Sequence, residues 1–297
     1  MSDQNPNVEA VRDAMGNAER IEPVPGNVSH IRKDKRTLQP QAQELLSKME
    51  HAADIRANLE RRYVIKGVLD HGGTSMLFGP SNTGKSFLAL DMAHHVAKGL
   101  PWFGRKVRKG RVLYVAAEGG AAFNNRVAAL EAPEFWVLNT PFTLAGQGNQ
   151  AGALSAAIQH LTATGGAPFD LIVFDTLSRV MGHLHENAAP AIAELIGRVD
   201  QLRRATGAHV MLIHRTGKEV SKGARGHSAL RAAIDTEIHL TRDDDVDETT
   251  AELTKQRDGV KGGKFRFHLN PVTLGQDEDG DRVTSCVVAP HLEAKET

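Results

Sequence analysis

The octapeptide Gly79-Pro80-Ser81-Asn82-Thr83-Gly84-Lys85-Ser86 constrains this chain more than any other stretch, because it satisfies G-x-x-x-x-G-K-[ST] at every fixed position. Glycines let the backbone curl until successive N–H groups converge on one point, and a helix that opens at the lysine adds the positive end of its dipole. The product is an anion cradle. A lysine in that place reaches the β- and γ-phosphates of a nucleoside triphosphate, and the hydroxyl after it is a Mg²⁺ ligand. The flanks agree with this reading. An apolar run, Ser75 to Phe78, precedes the glycines, and an amphipathic helix is expected over Lys85 to Ala97, with Phe87 in its first turn. ATP and Mg²⁺ are therefore the expected cofactors, cradled by residues 79–87.

Three more short apolar runs follow: Val112 to Ala117, Leu171 to Phe174 and Val210 to Ile213. They alternate with helical stretches around Asn124 to Leu130 and over Ala188 to Arg204. Such a rhythm predicts an α/β fold with a mostly parallel sheet covered by helices on both faces. The C-terminal part changes pattern. Asp235 to Thr241, Thr249 to Lys255, Lys264 to Leu269 and Val283 to Val288 alternate with period two between acidic or Gly-containing turns. Those read as antiparallel strands extending one sheet edge.

Ahead of the sheet, residues 1–40 are polar and carry four prolines, as expected of a flexible arm. Residues 41–62 place Leu45, Met49, Ala52 and Ile55 on one helical stripe, as in a linker helix. Residues 63–290 then form the ATPase domain, with 291–297 as a tail. Lys plus Arg and Asp plus Glu both total 36, so net charge argues for no nucleic-acid partner and only local clusters count. One cysteine, Cys286, excludes an intramolecular disulfide, and no signal peptide or membrane-length apolar run is evident. A soluble cytoplasmic protein is expected.

A Mg²⁺ partner should be an acid at the end of a buried strand, and LIVFD supplies Asp175. Hydrolysis also needs a carboxylate able to polarise water. Asp175 is followed by Thr176 instead of a second acid, which points to Glu118 at the end of VLYVAA.

Together with the phosphate loop, AAEGG after the second strand, LIVFDT and LIH resemble the RecA-like ring ATPases over roughly residues 62–275. The chain is similar in this to the plasmid RepA-type hexameric helicases and related phage ATPases, and more distantly to the DnaB helicase core. The resemblance implies that Glu118 activates water and that His214, ending HVMLIH, senses the γ-phosphate. It also likens Lys255-Gln256-Arg257-Asp258-Gly259 to the K-x-R-x-G hairpin, whose Lys and Arg reach the nucleotide of the neighbouring subunit; a ring, expected to be a hexamer, follows from that. After His214, Arg215, Lys218, Lys222, Arg225 and Arg231 face one acid, Glu219, in a glycine-containing segment. In the related rings the corresponding loop tracks a single-stranded backbone. The expected function is thus an ATP-driven helicase or translocase on single-stranded DNA, working with accessory replication or recombination proteins. The alternatives are a single-strand annealing ATPase and an ATP-driven module that acts on protein.

Overall fold

The computed structural model describes residues 39–56, 63–146, 148, 150–184, 188–216, 225–257 and 259–291. The chain divides into two units between Asn58 and Leu59. In the first, helix α1 (Pro40–Ser47) opens with proline in its first turn. It stops there, short of the 22-residue stretch expected from the stripe, and a single 3₁₀ turn (Ala52–Asp54) follows with His51 capping it. Leu45, Met49 and Ile55 are all exposed. A short helix whose apolar stripe is not buried has little to extend it, because isolated helices below about 12 residues are marginal. Residues 57–62 lie outside the described residues.

The second unit is built on a nine-stranded sheet. After a small hairpin, β1 (Tyr63–Ile65) and β2 (Leu69–Asp70), come β3 (Thr74–Gly79), helix α2 (Lys85–Lys98), β4 (Arg111–Ala116), α3 (Ala121–Ala128) and β5 (Trp136–Leu138). Then follow α4 (Ala151–Ala163), β6 (Phe169–Asp175), α5 (Leu177–Val180), α6 (Ala189–Thr206), β7 (His209–Arg215) and α7 (Arg225–Ala233). The chain closes with β8 (Thr236–Asp243), β9 (Glu248–Gln256), β10 (Lys264–Gln276) and β11 (Arg282–Pro290). The spatial order is β11-β10-β9-β8-β3-β7-β6-β4-β5.

Strands β8, β3, β7, β6, β4 and β5 are mutually parallel, and β9 to β11 join antiparallel. The antiparallel extension therefore begins one strand later than the period-two pattern suggested. Residues 236–239 pair parallel with β3, because α7 carries the chain back across the sheet between β7 and β8. The stretch 225–233, the end of the basic, glycine-containing segment of the sequence, is this crossover helix.

Alternation along the central strands splits the core in two. Leu77, Val112, Tyr114, Leu171, Val173, Met211 and Ile213 pack with α2 on one face. Met76, Leu113, Val115, Ile172, Phe174, Val210 and Leu212 pack with α4, α5 and α6 on the other. This two-sided burial is why those strands read as continuous apolar runs. Among the described residues, no helix is long and apolar enough to cross a membrane.

One buried polar link ties the start of the sheet together. His209 is fully buried; its Nδ1 lies 2.7 Å from the Asp70 carbonyl and its Nε2 2.8 Å from Ser75 Oγ. A carbonyl only accepts, so Nδ1 carries the proton and Nε2 accepts from the serine hydroxyl. Burial lowers the imidazole pKa from 6.5 to about 4. The unfolded chain thus binds a proton that the folded chain refuses between those values, and stability falls as pH drops from 6.5 towards 4. At 1.36 kcal/mol per pKa unit the loss is roughly 3 kcal/mol. His209→Gln should lower stability at pH 7 yet flatten this acid limb in urea melts; a limb of unchanged slope would show that His209 is not its source.

Candidate functional site

The phosphate loop is shaped by what lies beside it. At Gly79 an added Cβ would collide with the carbonyl oxygen of Leu240 on neighbouring β8, so only glycine permits β3 to end so close to that strand. Gly84 has φ 77°, in the left-handed region, and serves as the N-cap of α2. Between them the loop turns back on Lys85, whose Nζ donates to the Pro80 carbonyl at 2.5 Å and to Thr83 Oγ1 at 3.3 Å. Lys85 is buried, and its pKa is lowered to about 8, first by burial and then by the nearby Arg215 cation, with Asp175 opposing.

Parallel pairing delivers the acids to the same place. Ala116 on β4 pairs with Asp175 on β6, so Glu118, two residues beyond, emerges from the same sheet edge. Asp175 is 7% exposed. It accepts from Tyr114 Oη at 2.8 Å and is also hydrogen-bonded by Ser86. Burial raises its pKa, while the two hydroxyls and the Arg126 cation pull it back down. Glu118 stays about half exposed at the mouth, 3.3 Å from Arg179 Nε. Lys85, Ser86, Phe87, Glu118 and Asp175 all line one cleft of about 380 Å³, within the size range of small-molecule sites.

Among the described residues no cluster of three or more His, Cys, Asp or Glu is disposed to hold a metal alone. The Ser86 hydroxyl and Asp175 carboxylate instead offer two adjacent oxygens, a donor set that fits a Mg²⁺ ion completed by phosphate oxygens and water.

Three side chains in or behind this cleft carried no assignment to it in the sequence. Arg215 lines it, although its place in a basic run marked it as a DNA contact. The signal was available: Met211, Ile213 and Arg215 alternate onto the α2 face. By the same alternation His214 falls on the face of Val210 and Leu212, and it is not among the residues lining the cleft. Arg126, from α3, lines the cleft with its guanidinium 5.1 Å from the Phe87 ring centroid. Tyr114 looked like ordinary core within an apolar run, and only the β4–β6 register brings its hydroxyl to Asp175.

Lys255 and Arg257 lie at the other edge of the sheet. Gln256 pairs with Thr236 at the start of β8, whose neighbour is Ser75 at the start of β3. The phosphate loop leaves the far end of that strand, roughly 17 Å away at about 3.3 Å per residue. Lys255 Nζ donates to the carbonyls of Arg231 and Ile234, both at 2.6 Å, at the C-terminus of α7. Arg257 pairs with Asp235 at 2.6 Å. Neither side chain can reach the phosphate loop of its own chain. Lys218 and Lys222 lie outside the described residues, and Arg225 is the first residue of α7.

Two measurements probe the cleft. Tyr114→Phe removes one hydroxyl from Asp175 without changing core shape, and should weaken Mg²⁺-dependent nucleotide binding about fivefold, the worth of one hydrogen bond; an unchanged Mg²⁺ midpoint would reject this positioning role. Because Lys85 titrates near pH 8 in the free protein, and a bound anion holds it charged, triphosphate affinity should fall by up to about tenfold per pH unit above that value. Titrations from pH 7 to 10, with Lys85→Arg as the non-titrating control, read that slope.

The chain matches a protein family and is similar to solved structures. The AAA domain family matches residues 36–221, more than half of the chain. Of solved structures, "ATPase Domain of G40P" superposes with a TM-score of 0.52 at 11% identity, covering 71% of this chain and 84% of that one. "Crystal structure of the RadB recombinase" gives a TM-score of 0.47 at 16% identity, covering 67% and 88%. The strand order, the phosphate loop after β3 and the matched sequence together make this chain a member of the AAA domain family with a RecA-like P-loop fold.

Proposed function

We propose that this protein is an ATP-hydrolysing motor acting on single-stranded DNA as a ring of identical copies, of the replicative helicase or translocase kind. The observation that carries the reading is the separation of two half-sites on opposite sheet edges. The phosphate loop, Asp175 and Glu118 share one edge, and Lys255 and Arg257 occupy the other. A head-to-tail interface sets the second edge of one copy against the first edge of the next, and makes a ring where its rotation closes.

In that assembly Lys85 neutralises the β- and γ-phosphates and the loop N–H groups hold them in line. Ser86 and Asp175 would hold a Mg²⁺ ion, which would supply Lewis-acid neutralisation of the phosphate charge. Glu118 accepts a proton from water as its oxygen attacks the γ-phosphorus, the bond to the β-bridging oxygen breaks, and ADP and phosphate leave. Lys255 and Arg257 of the neighbour stabilise the charge shed onto the leaving group.

The DNA half of the reading is supported by the end of β7. Arg215 lines the nucleotide cleft, and the basic segment that holds Lys218, Lys222 and Arg225 follows it in the sequence. A change sensed at the γ-phosphate has a direct covalent route into that segment. The likeness to an ATPase domain supports the ATP half. Backbone phosphates would be the main contact, so binding should weaken steeply with salt.

Steady-state ATP hydrolysis with and without single-stranded DNA tests the function, with Lys85→Ala as the inactive blank. Stimulation that fades with added salt supports the motor, and a fork-unwinding assay separates it from a strand annealer. No stimulation by an assembled protein at low salt would reject the DNA reading and leave a module that handles protein. Arg257→Ala should keep nucleotide binding within a few-fold yet lose turnover by on the order of a thousandfold. Mixing it with Glu118→Ala subunits should restore some turnover at composite sites, and wild-type turnover by Arg257→Ala alone would end the trans assignment.

A further inference from the structure

A second cationic site lies on the edge opposite the phosphate loop. Lys66 from the β1–β2 turn, Arg105 and Lys106 from the loop after α2, and Arg257 from the β9–β10 turn line one open groove. Among its described lining residues there is no acid and no aromatic side chain, in a chain whose charges otherwise balance. Four cations line it from three separate segments, one of them, Arg257, held by its pair with Asp235.

Its floor leaves room for a ligand to come close. Gly67, Gly104, Gly259 and Gly263 contribute to the lining, so no side chain stands between the backbone and an approaching group. Arg105 is seated more firmly than a surface arginine. Its guanidinium carbon lies 5.1 Å from the Phe265 ring centroid, and its Nη1 donates to the Lys66 carbonyl at 3.4 Å. A Cβ on Gly67 would come 3.0 Å from Arg105 Nη1, and one on Gly263 would come 3.4 Å from Nη2. The two glycines thus leave the slot that the guanidinium occupies. Seating of this kind holds a planar cation ready for oxyanions and limits the side-chain entropy lost on binding.

We infer that this groove, through Arg105, Lys66 and Lys106 beside Arg257, grips the triphosphate held in the P-loop cleft of a second copy of this chain. The inference rests on the ring reading and adds three side chains to the two that reading assigned in trans. Position, charge and shape favour that occupant. The groove shares Arg257 with the proposed trans half-site and lies on the same sheet edge. An anionic triphosphate in the next copy is its electrostatic complement. A nucleic-acid strand would find only its backbone phosphates matched here, with no aromatic among the described lining residues for its bases to stack on. Each added cation stabilises charge on the phosphate oxygens as the γ-phosphoryl group departs.

The test uses the full chain carrying Lys66→Gln, Arg105→Gln and Lys106→Gln together, with sedimentation in a nonhydrolysable ATP analogue to read assembly. The expected result is an assembled protein that binds the analogue within about threefold of wild type and hydrolyses ATP on the order of tenfold or more slowly. Mixing it with Lys85→Ala subunits should recover turnover, because one parent supplies intact P-loops and the other intact grooves. Wild-type turnover by the assembled triple variant would overturn the inference and leave the ring reading standing. So would unchanged turnover without DNA combined with lost single-strand binding, which would assign the groove to nucleic acid. If the triple variant fails to assemble, the pair Lys66→Gln and Lys106→Gln, both at exposed positions, is judged by the same criteria. A wild-type protein that sediments as a monomer while hydrolysing ATP would remove the ring reading, and this inference with it, before any variant is made.

Discussion

The contact on which the cleft depends is the crowded end of β3, where Gly79 passes against the Leu240 carbonyl of β8. Because β3 sits between β7 and β8, its last residue is held in register on both sides, with Gly79 level with Arg215 and Phe78 level with His239. The phosphate loop therefore starts from a point fixed by two strands that come much later in the chain. A loop anchored only to its own helix would place its N–H groups less sharply, and preorganised donors are what make a phosphate site effective. The same three-strand junction brings Arg215 to the cleft.

Sheet polarity then divides the molecule's chemistry into two ends. Strand ends on one edge hold Lys85, Asp175 and Glu118; strand starts on the other carry Asp235, the C-terminus of α7 and the turn holding Arg257. Asp235 belongs to both architecture and chemistry. Its Oδ2 accepts from Thr74 N at 2.8 Å and Thr74 Oγ1 at 3.1 Å, while Oδ1 meets Arg257. The carboxylate that pins the start of β3 therefore also sets where the arginine stands. Any displacement of α7, which follows the basic segment directly, would be felt by Lys255 through the carbonyls it binds. The end of α7 is thus tied directly to the cation on this edge of the sheet.

Much of this was legible in the residues because the relevant signals are local. The phosphate loop announces itself by backbone requirements that only glycine meets, and Asp175 and Glu118 by their place at the ends of apolar runs. Residues whose importance depends on register were harder to see. Tyr114 reads as core until β4 is set beside β6, and Arg215 reads as part of a charge run until the alternation of β7 is followed past Ile213. The parallel side of β8 is hidden for a related reason. Period-two alternation reports one exposed face, not which neighbour a strand has, and β8 is parallel on one side and antiparallel on the other. The helix expected to run to residue 62 ends at Ser47 because periodicity states only that an apolar stripe exists, not that anything buries it.

Burial does opposite things to the two charged groups at the heart of the cleft. It lowers the pKa of Lys85 and raises that of Asp175. Both shifts have the same largest cause, the removal of water from an ion, and neither group is the other's full remedy, since Ser86 and Tyr114 rather than the lysine bond to the carboxylate. A ligand that is anionic towards Lys85 and presents a cation towards Asp175 relieves both penalties together. A nucleoside triphosphate carrying Mg²⁺ has that distribution of charge, whereas a bare phosphate would serve only the lysine and a bare metal only the aspartate. Selectivity for the combined species can therefore come from desolvation itself, with the loop geometry deciding where the phosphates lie.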